Sequence, residues 1–183
     1  MTITLRDISI LTGLCVDGLP VITHRKPRME EVLHLLGREP DEWQKRQPRI
    51  GISWLVDNFS NIPDDASDEV LDQHTRAYIL YFLGTLMLCD SSTNSIPAHY
   101  LLLVQNLNTC KNYAWGAAAL AWIYRSLSHA SQLGVTKSYG WFSLVQVPHI
   151  YKSFLYKLFF RSHLFHNPFF VGMGLVSFTT NTT

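Results

Sequence analysis

The sequence predicts a mainly α fold, an irregular multi-helix bundle with one short β-hairpin near the N-terminus. Three observations predict it. Apolar residues recur three or four apart through most of the longer segments, the spacing of one helix face. Capping residues and glycines stand where those segments begin and end. A hairpin signal occurs around Asp17-Gly18, between two short apolar arms. No repeat of roughly 30–45 residues is visible, which argues against a solenoid.

The elements follow in chain order. Thr4 and Asp7 stand as a capping box, Leu5, Ile8 and Leu11 continue at helical spacing, and Gly13 ends the helix. Leu14-Cys15-Val16 and Pro20-Val21-Ile22 flank Asp17-Gly18, a pair that supplies the positive backbone angles of a tight hairpin turn. Pro20 lacks an N–H, so the second arm is predicted as an edge. His24 to Arg28, basic and containing Pro27, reads as a loop. Met29 to Leu36 is a short amphipathic helix closed by Gly37. Arg38 to Arg49 is polar and broken by Pro40 and Pro48, which predicts an exposed connection around Trp43. Ile52, Leu55, Val56 and Phe59 mark another short helix.

Asn61 to Asp65 reads as a loop. Ser67 then caps a long helix whose first turn holds Asp68 and Glu69, where carboxylates suit the helix dipole. It is predicted to reach about Cys89 and, being apolar on all sides from Ala77, to lie centrally. Asp90 to Ser95 is a polar turn. Pro97 suits the first position of a helix with Tyr100, Leu103, Val104 and Leu107 on one face. Asn112 is predicted to open a helix running to about Gln132, with a stripe of Trp115, Ala118, Ala119, Trp122, Ile123 and Leu127. The small residues Gly116, Ala117, Ala118, Ala119 and Ala121 leave room for a neighbouring helix. Gly140 to Val147 begins a further apolar helix that Pro148 interrupts. The domain is placed at residues 1–147, with a divergent Phe-rich tail at 148–183.

The chain has 183 residues, enough for one domain, and its 47% apolar content is enough for a core. A net charge of +1 gives no global field toward nucleic acid or an acidic substrate. The charge is uneven: residues 1–91 carry nine basic and fourteen acidic side chains, and residues 92–183 six basic and no acidic ones. Those six (Lys111, Arg125, Lys137, Lys152, Lys157, Arg161) are scattered, so mutual neutralisation of the two halves, or a tail that is not native core sequence, is preferred to a phosphate-binding face. The apolar run Ala77 to Cys89 would rise ~20 Å as a helix, short of the ~30 Å hydrocarbon core. Pro148, His149, Lys152 and Lys157 interrupt the run from Trp141 to Phe160. No membrane span is predicted, and Arg6 and Asp7 rule against a secretory signal in the apolar start. Cys15, Cys89 and Cys110 have neither zinc nor disulfide spacing, and an odd count fits a reducing compartment.

Few residues suggest chemistry. Asp64, Asp65 and Asp68 have the D-D-x-x-D spacing with which helical prenyl-diphosphate enzymes hold magnesium against a diphosphate. Here the acids precede a helix instead of lying along one, and the second half offers no facing carboxylate, so capping is the preferred reading. His163 and His166 could share a helix face as zinc ligands, but no Cys, Asp or Glu follows them. His24, His34, His74, His99, His129 and His149 are scattered and read as ordinary hydrogen-bonded or surface groups. Cys15 as nucleophile would need a base that nothing nominates, so buried packing is predicted for all three cysteines. No phosphate loop, dinucleotide fingerprint or nucleophile elbow occurs, and no lysine marks a pyridoxal phosphate site. Trp115, Trp122 and Trp141 could stack on bases, but their alanine-rich setting predicts core. No catalytic, cofactor or metal residue is assigned.

Several segments together resemble the plant mobile domain, also called the aminotransferase-like plant mobile domain, of the Maintenance of Meristems-like family. They are Thr2 to Ile8, Leu11 to Val21, Gly51 to Leu55, Arg76 to Leu80 and Tyr113 to Arg125, in matching order and spacing over about residues 1–147. Family domains usually carry further helices before the position of Met1, so the chain is expected to be a partial domain. Thr23-His24 replaces the Thr-Gly usual after the hairpin, and the sequence diverges from Val147 onward, as read-through or a truncated gene model would. The resemblance implies a transposon-derived, non-catalytic module in the plant nucleus. It implies roles in meristem maintenance and gene silencing of transposable elements through protein interaction, with a phosphatase-like long-form partner. It implies no cofactor despite the aminotransferase name. The alternatives are a nucleic-acid-binding domain and, behind it, a magnesium-dependent diphosphate enzyme.

Overall fold

Helix α1 (Leu5–Thr12) begins at the capping box: the Asp7 N–H donates to Thr4 Oγ1, and Asp7 Oδ2 accepts from the Thr4 N–H at 2.9 Å. Gly13, at φ 70, closes it by donating to the Ser9 carbonyl. This is a computed structural model, and it describes residues 2–41, 43, 46–135 and 139–146. Residues Thr2–Leu144 form a compact unit. The predicted tail at 148–183, with His149, His163 and His166, lies outside the described residues, as do Lys137, Val147 and Pro148.

Helix α2 (Met29–Leu36) also matches its prediction, with Gly37 left-handed at φ 71. Its N-terminus is held by Glu31, which accepts from the Arg28 N–H at 2.8 Å and takes a two-point ion pair from Arg25 at 2.7 Å. The Arg25 hydrogen bonds, then the Arg28 N–H, hold the Glu31 carboxyl down at about 2 from a usual 4.5. Its folded pKa is depressed, so its stabilisation is complete above pH 4.5 and is lost as pH falls toward about 2. Glu31→Gln is expected to flatten the acid limb of the stability curve across that window in urea titrations. An unchanged acid limb would contradict the assignment.

The mainly helical class holds, with one antiparallel strand pair, but the pair forms elsewhere than predicted. Strands β1 (Arg49–Gly51) and β2 (Ser95–Pro97) pair with Ile50 opposite Ile96, both wholly buried. No pairing forms across Asp17-Gly18. There Pro20 has no N–H for a ladder, and Leu19 is claimed by a distant segment. Its N–H donates to the Asn112 carbonyl at 2.8 Å, and its carbonyl accepts from the Ala114 N–H at 2.9 Å. The predicted exposed connection over residues 38–49 holds for Arg38, Glu39, Asp41, Arg46 and Gln47, but Pro40 and Pro48 are buried, Trp43 packs partly against the core, and Arg49 enters β1.

Helix α3 (Ile52–Phe59) buries Trp54 and Leu55 against α4 (Asp68–Phe82), which Ser67 caps through the Val70 N–H. The chain then passes into a π-helical turn, Leu83–Met87, closed by the Leu88 N–H on the Leu83 carbonyl at 2.7 Å. The long helix is not buried all round. Ala77, Leu80, Leu83 and Met87 face the core, whereas Tyr78 is 73% exposed. The extra residue of the π turn rotates everything after it by roughly 100° relative to an unbroken α-helix.

The single helix expected after Pro97 is two pieces, a 3-10 helix (Ala98–Leu103) and α5 (Leu107–Cys110). Pro97 ends β2, and Asn106 interrupts by capping the N–H groups of Asn108 and Thr109. Helix α6 (Trp115–Ala130) starts after Ala114, not at Asn112. Its buried face is Gly116, Ala119, Leu120, Ile123 and Ser126, so the predicted stripe is about one residue out. Gly116 permits the close approach expected of it: its N–H donates to the Cys15 carbonyl at 2.7 Å, and a Cβ there would meet Val16, Cys15 and Ile8 at 3.0–3.2 Å. Residues 143–146 are helical, and Leu144 is buried.

Candidate functional site

A groove of about 740 Å³ opens where the β1–β2 pair, the 3-10 helix, α6 and the Val21–Thr23 segment meet. Its size is that of ligand-holding clefts, roughly 300–1,000 Å³. The floor is apolar, from Leu88, Leu103, Ala118 and Ala121. Three cations (Lys26, Arg49, Arg125) and one acid, Asp90, line it, together with His99, Tyr100 and Trp122.

The centre is a closed polar network. Arg49 clasps Asp90 with both terminal nitrogens, at 2.9 and 3.1 Å, and gives its remaining bonds to Ser95 Oγ at 2.8 Å and the Ser95 carbonyl at 2.6 Å. Asp90 also accepts the Ser92 N–H at 2.8 Å. The strand carries Arg49 to this point, and the π turn aims the Leu88–Asp90 segment toward it. The pair is two-pronged and more than two-thirds withdrawn from solvent, the geometry in which a charge-assisted bond contributes most.

The other polar groups are settled too. Tyr100 donates its hydroxyl to the Leu88 carbonyl at 3.0 Å. Burial, then the Asp90 charge, pushes that phenol up to about 12, so it stays protonated. Burial, then the Arg49 charge, lowers the His99 imidazole from 6.5, leaving it neutral at pH 7. Folded His99 therefore binds fewer protons than unfolded His99, so its contribution to stability is present above pH 6.5 and is lost as pH falls through its folded value. Arg49→Gln is expected to raise the His99 pKa, since Asp90 then acts unopposed, and Asp90→Asn to lower it further. Proton NMR titration of the ring reads both, and shifts of the same sign would overturn the assignment. Trp122 rests in the wall with its indole N–H on the Cys89 carbonyl at 2.8 Å and the Arg125 guanidinium 5.4 Å from its ring centre.

The residues singled out from sequence do not gather here, His99, Trp122 and Arg125 excepted. Asp64 and Asp65 lie in an exposed turn ahead of α4 and Asp68 opens that helix, while His24 and His34 are on the surface. Among the described residues no three His, Cys, Asp or Glu side chains converge as a metal site. His74 is buried and bonded to the Val70 and Asn61 carbonyls, and His129 stacks near Tyr139. The buried packing predicted for the cysteines is corrected: Cys15 is exposed, since its backbone makes the contact with α6, and Cys89 and Cys110 are half-buried. Burial raises the Cys89 thiol above its usual 9.0, against nucleophilic use. Trp115 donates to the Cys110 carbonyl at 2.8 Å, and Trp141 meets Phe82 edge-on at 5.6 Å. No helix among the described residues is long and apolar enough to cross a membrane. The Arg49–Asp90 clasp had no local signal, because its partners stand 41 residues apart.

Comparison with known proteins places these features in a wider set. Residues 1–154 match the family model described as plant mobile domain. The chain is 40% identical over 147 residues to "Protein MAIN-LIKE 2" of Arabidopsis thaliana, with 80% of this chain and 22% of the relative covered. It is 35% identical over 149 residues to "Protein MAINTENANCE OF MERISTEMS" of the same plant, covering 80% and 31%. It is 32% identical over 148 residues to a "Serine/threonine-protein phosphatase 7 long form homolog", also from Arabidopsis thaliana, covering 80% and 11%. The chain thus spans less than a third of the length of each of these relatives. No solved structure matches it.

Proposed function

The chain belongs to the plant mobile domain family, and on that premise we propose that it is a non-catalytic protein-interaction module of the plant nucleus. Its roles in this reading are meristem maintenance and transposable-element silencing, with a long-form phosphatase-like protein as partner. The observation that carries the reading is the similarity to "Protein MAINTENANCE OF MERISTEMS" through 80% of this chain. The groove supports a non-catalytic role: both Asp90 oxygens are engaged, the Tyr100 hydroxyl donates its hydrogen bond to a carbonyl, and no described nucleophile faces a base across it. The indole N–H groups of Trp115 and Trp122 are bound to backbone carbonyls within the fold, which weighs against base stacking as their task. The test is expression of the tagged chain in plant cells. Nuclear location and recovery of a long-form phosphatase-like protein are expected. A cytoplasmic chain that recovers neither that partner nor a chromatin protein would refute the reading.

A further inference from the structure

The groove is chemically divided. Its floor of Leu88, Leu103, Ala118 and Ala121 offers nothing to an ion but would bury an aliphatic side chain. Its centre is electrically closed, because Asp90 neutralises Arg49. That leaves Lys26 and Arg125, both exposed and in no ion pair among the described residues. Lys26 Nζ is anchored on the Arg46 carbonyl at 2.6 Å, and the Arg125 guanidinium is braced over Trp122. Fixed cations beside an apolar floor complement an acidic segment that also carries an apolar residue.

Resting on the reading of this chain as an interaction module, we propose that the groove docks a short acidic peptide segment of a protein partner, its carboxylates at Lys26 and Arg125 and an aliphatic side chain on the Leu88–Leu103 floor. A nucleic-acid strand fits less well. Phosphate binding along a strand needs a run of cations, whereas the described lining offers two outside the Arg49–Asp90 pair. The chain's own sequence after Asp90 holds no acidic residue and is no match for the rim.

The probe is a labelled peptide of alternating Glu and Leu, measured against the full chain by fluorescence anisotropy beside its Gln/Leu counterpart and a single-stranded oligonucleotide of equal charge. The Glu/Leu peptide is expected to bind at least ~10-fold more tightly than the Gln/Leu peptide, and more weakly as salt rises. The double variant Lys26→Glu/Arg125→Glu is expected to lose ~10-fold or more, and Lys111→Glu, a single charge reversal away from the groove, to lose nothing. Circular dichroism and urea melting check that the double variant folds, as its two exposed positions lead one to expect. Equal binding of the two peptides, indifference to the double variant, or tighter binding of the oligonucleotide each overturns the proposal. Partner recovery separates the two readings. If the wild-type chain and the double variant recover the phosphatase-like protein equally, the groove assignment fails and the module reading stands. If the wild-type chain recovers none, the module reading fails whatever the peptide does.

Discussion

Gly18→Ala is expected to cost about 2–6 kcal/mol, from ~1–3 for a backbone region other residues avoid and ~0.5–1.5 for each of two hydrogen bonds put at risk. Gly18 sits at φ 135, and a Cβ there would run into the Asn112 carbonyl oxygen, with the Asn112 carbon at 3.2 Å and the Ala114 nitrogen at 3.3 Å behind it. All three are backbone atoms and cannot swing aside. The bonds at risk are those by which Leu19 holds the start of the chain to the entry of α6. A domain of this size has roughly 5–15 kcal/mol in total, so the loss should be plain as a lower urea midpoint. Gly13→Ala is the control: its φ is 70 and nothing lies within 4 Å of the new Cβ, so only the left-handed penalty of ~1–2 kcal/mol remains. Equal losses at the two glycines would refute the contact at Asn112.

Gly84→Ala carries the second large effect. Gly84 lies in the π turn under β2, and a Cβ there would overlap Ile96, with Cγ1 at 2.6 Å and the Ile96 Cβ at 2.9 Å. Ile96 is wholly buried, β-branched and fixed by the strand pair, so it has no free rotamer to take. Alanine gains ~1 kcal/mol of helical preference over glycine, but overpacking a core costs ~1–3 kcal/mol, and a conflict with a β-carbon belongs at the upper end. The net change is a loss. Ile96→Ala alone should cost about 2–5 kcal/mol, and the double variant less than the sum of the two singles, because the first change makes room for the second. Strict additivity in urea titrations would show that Gly84 and Ile96 do not conflict.

These two glycines also mark where the sequence was legible and where it was not. Helix starts carried by a side chain reaching its own first turn, Thr4 with Asp7 and Ser67 with Val70, could be read directly, as could the left-handed stops at Gly13 and Gly37. Such signals span three or four residues, and tertiary context did not overrule them. Asp17-Gly18 reads as a hairpin because its local chemistry is that of a hairpin. The bonds that decide its conformation come from Asn112 and Ala114, nearly a hundred residues on. The strand pair joins residues as far apart as Arg49 and Pro97, three residues on each side, too short for a period to show. The helix from Ala77 onward is apolar in composition, but its tyrosines turn outward, which composition alone does not distinguish. The candidate groove was the least legible part. Lys26, Arg49, Asp90, His99 and Arg125 come from separate segments, and only the fold brings them to one cleft.

The central claim is that this domain acts by holding a protein rather than by turning over a substrate. Its most direct measurement is calorimetric titration of the full chain with the purified long-form phosphatase homologue, with and without a magnesium chelator. A saturable heat that chelation leaves unchanged and that Lys26→Glu/Arg125→Glu diminishes is predicted. Absence of any saturable heat, or a heat that continues as steady turnover and vanishes with the chelator, would contradict it.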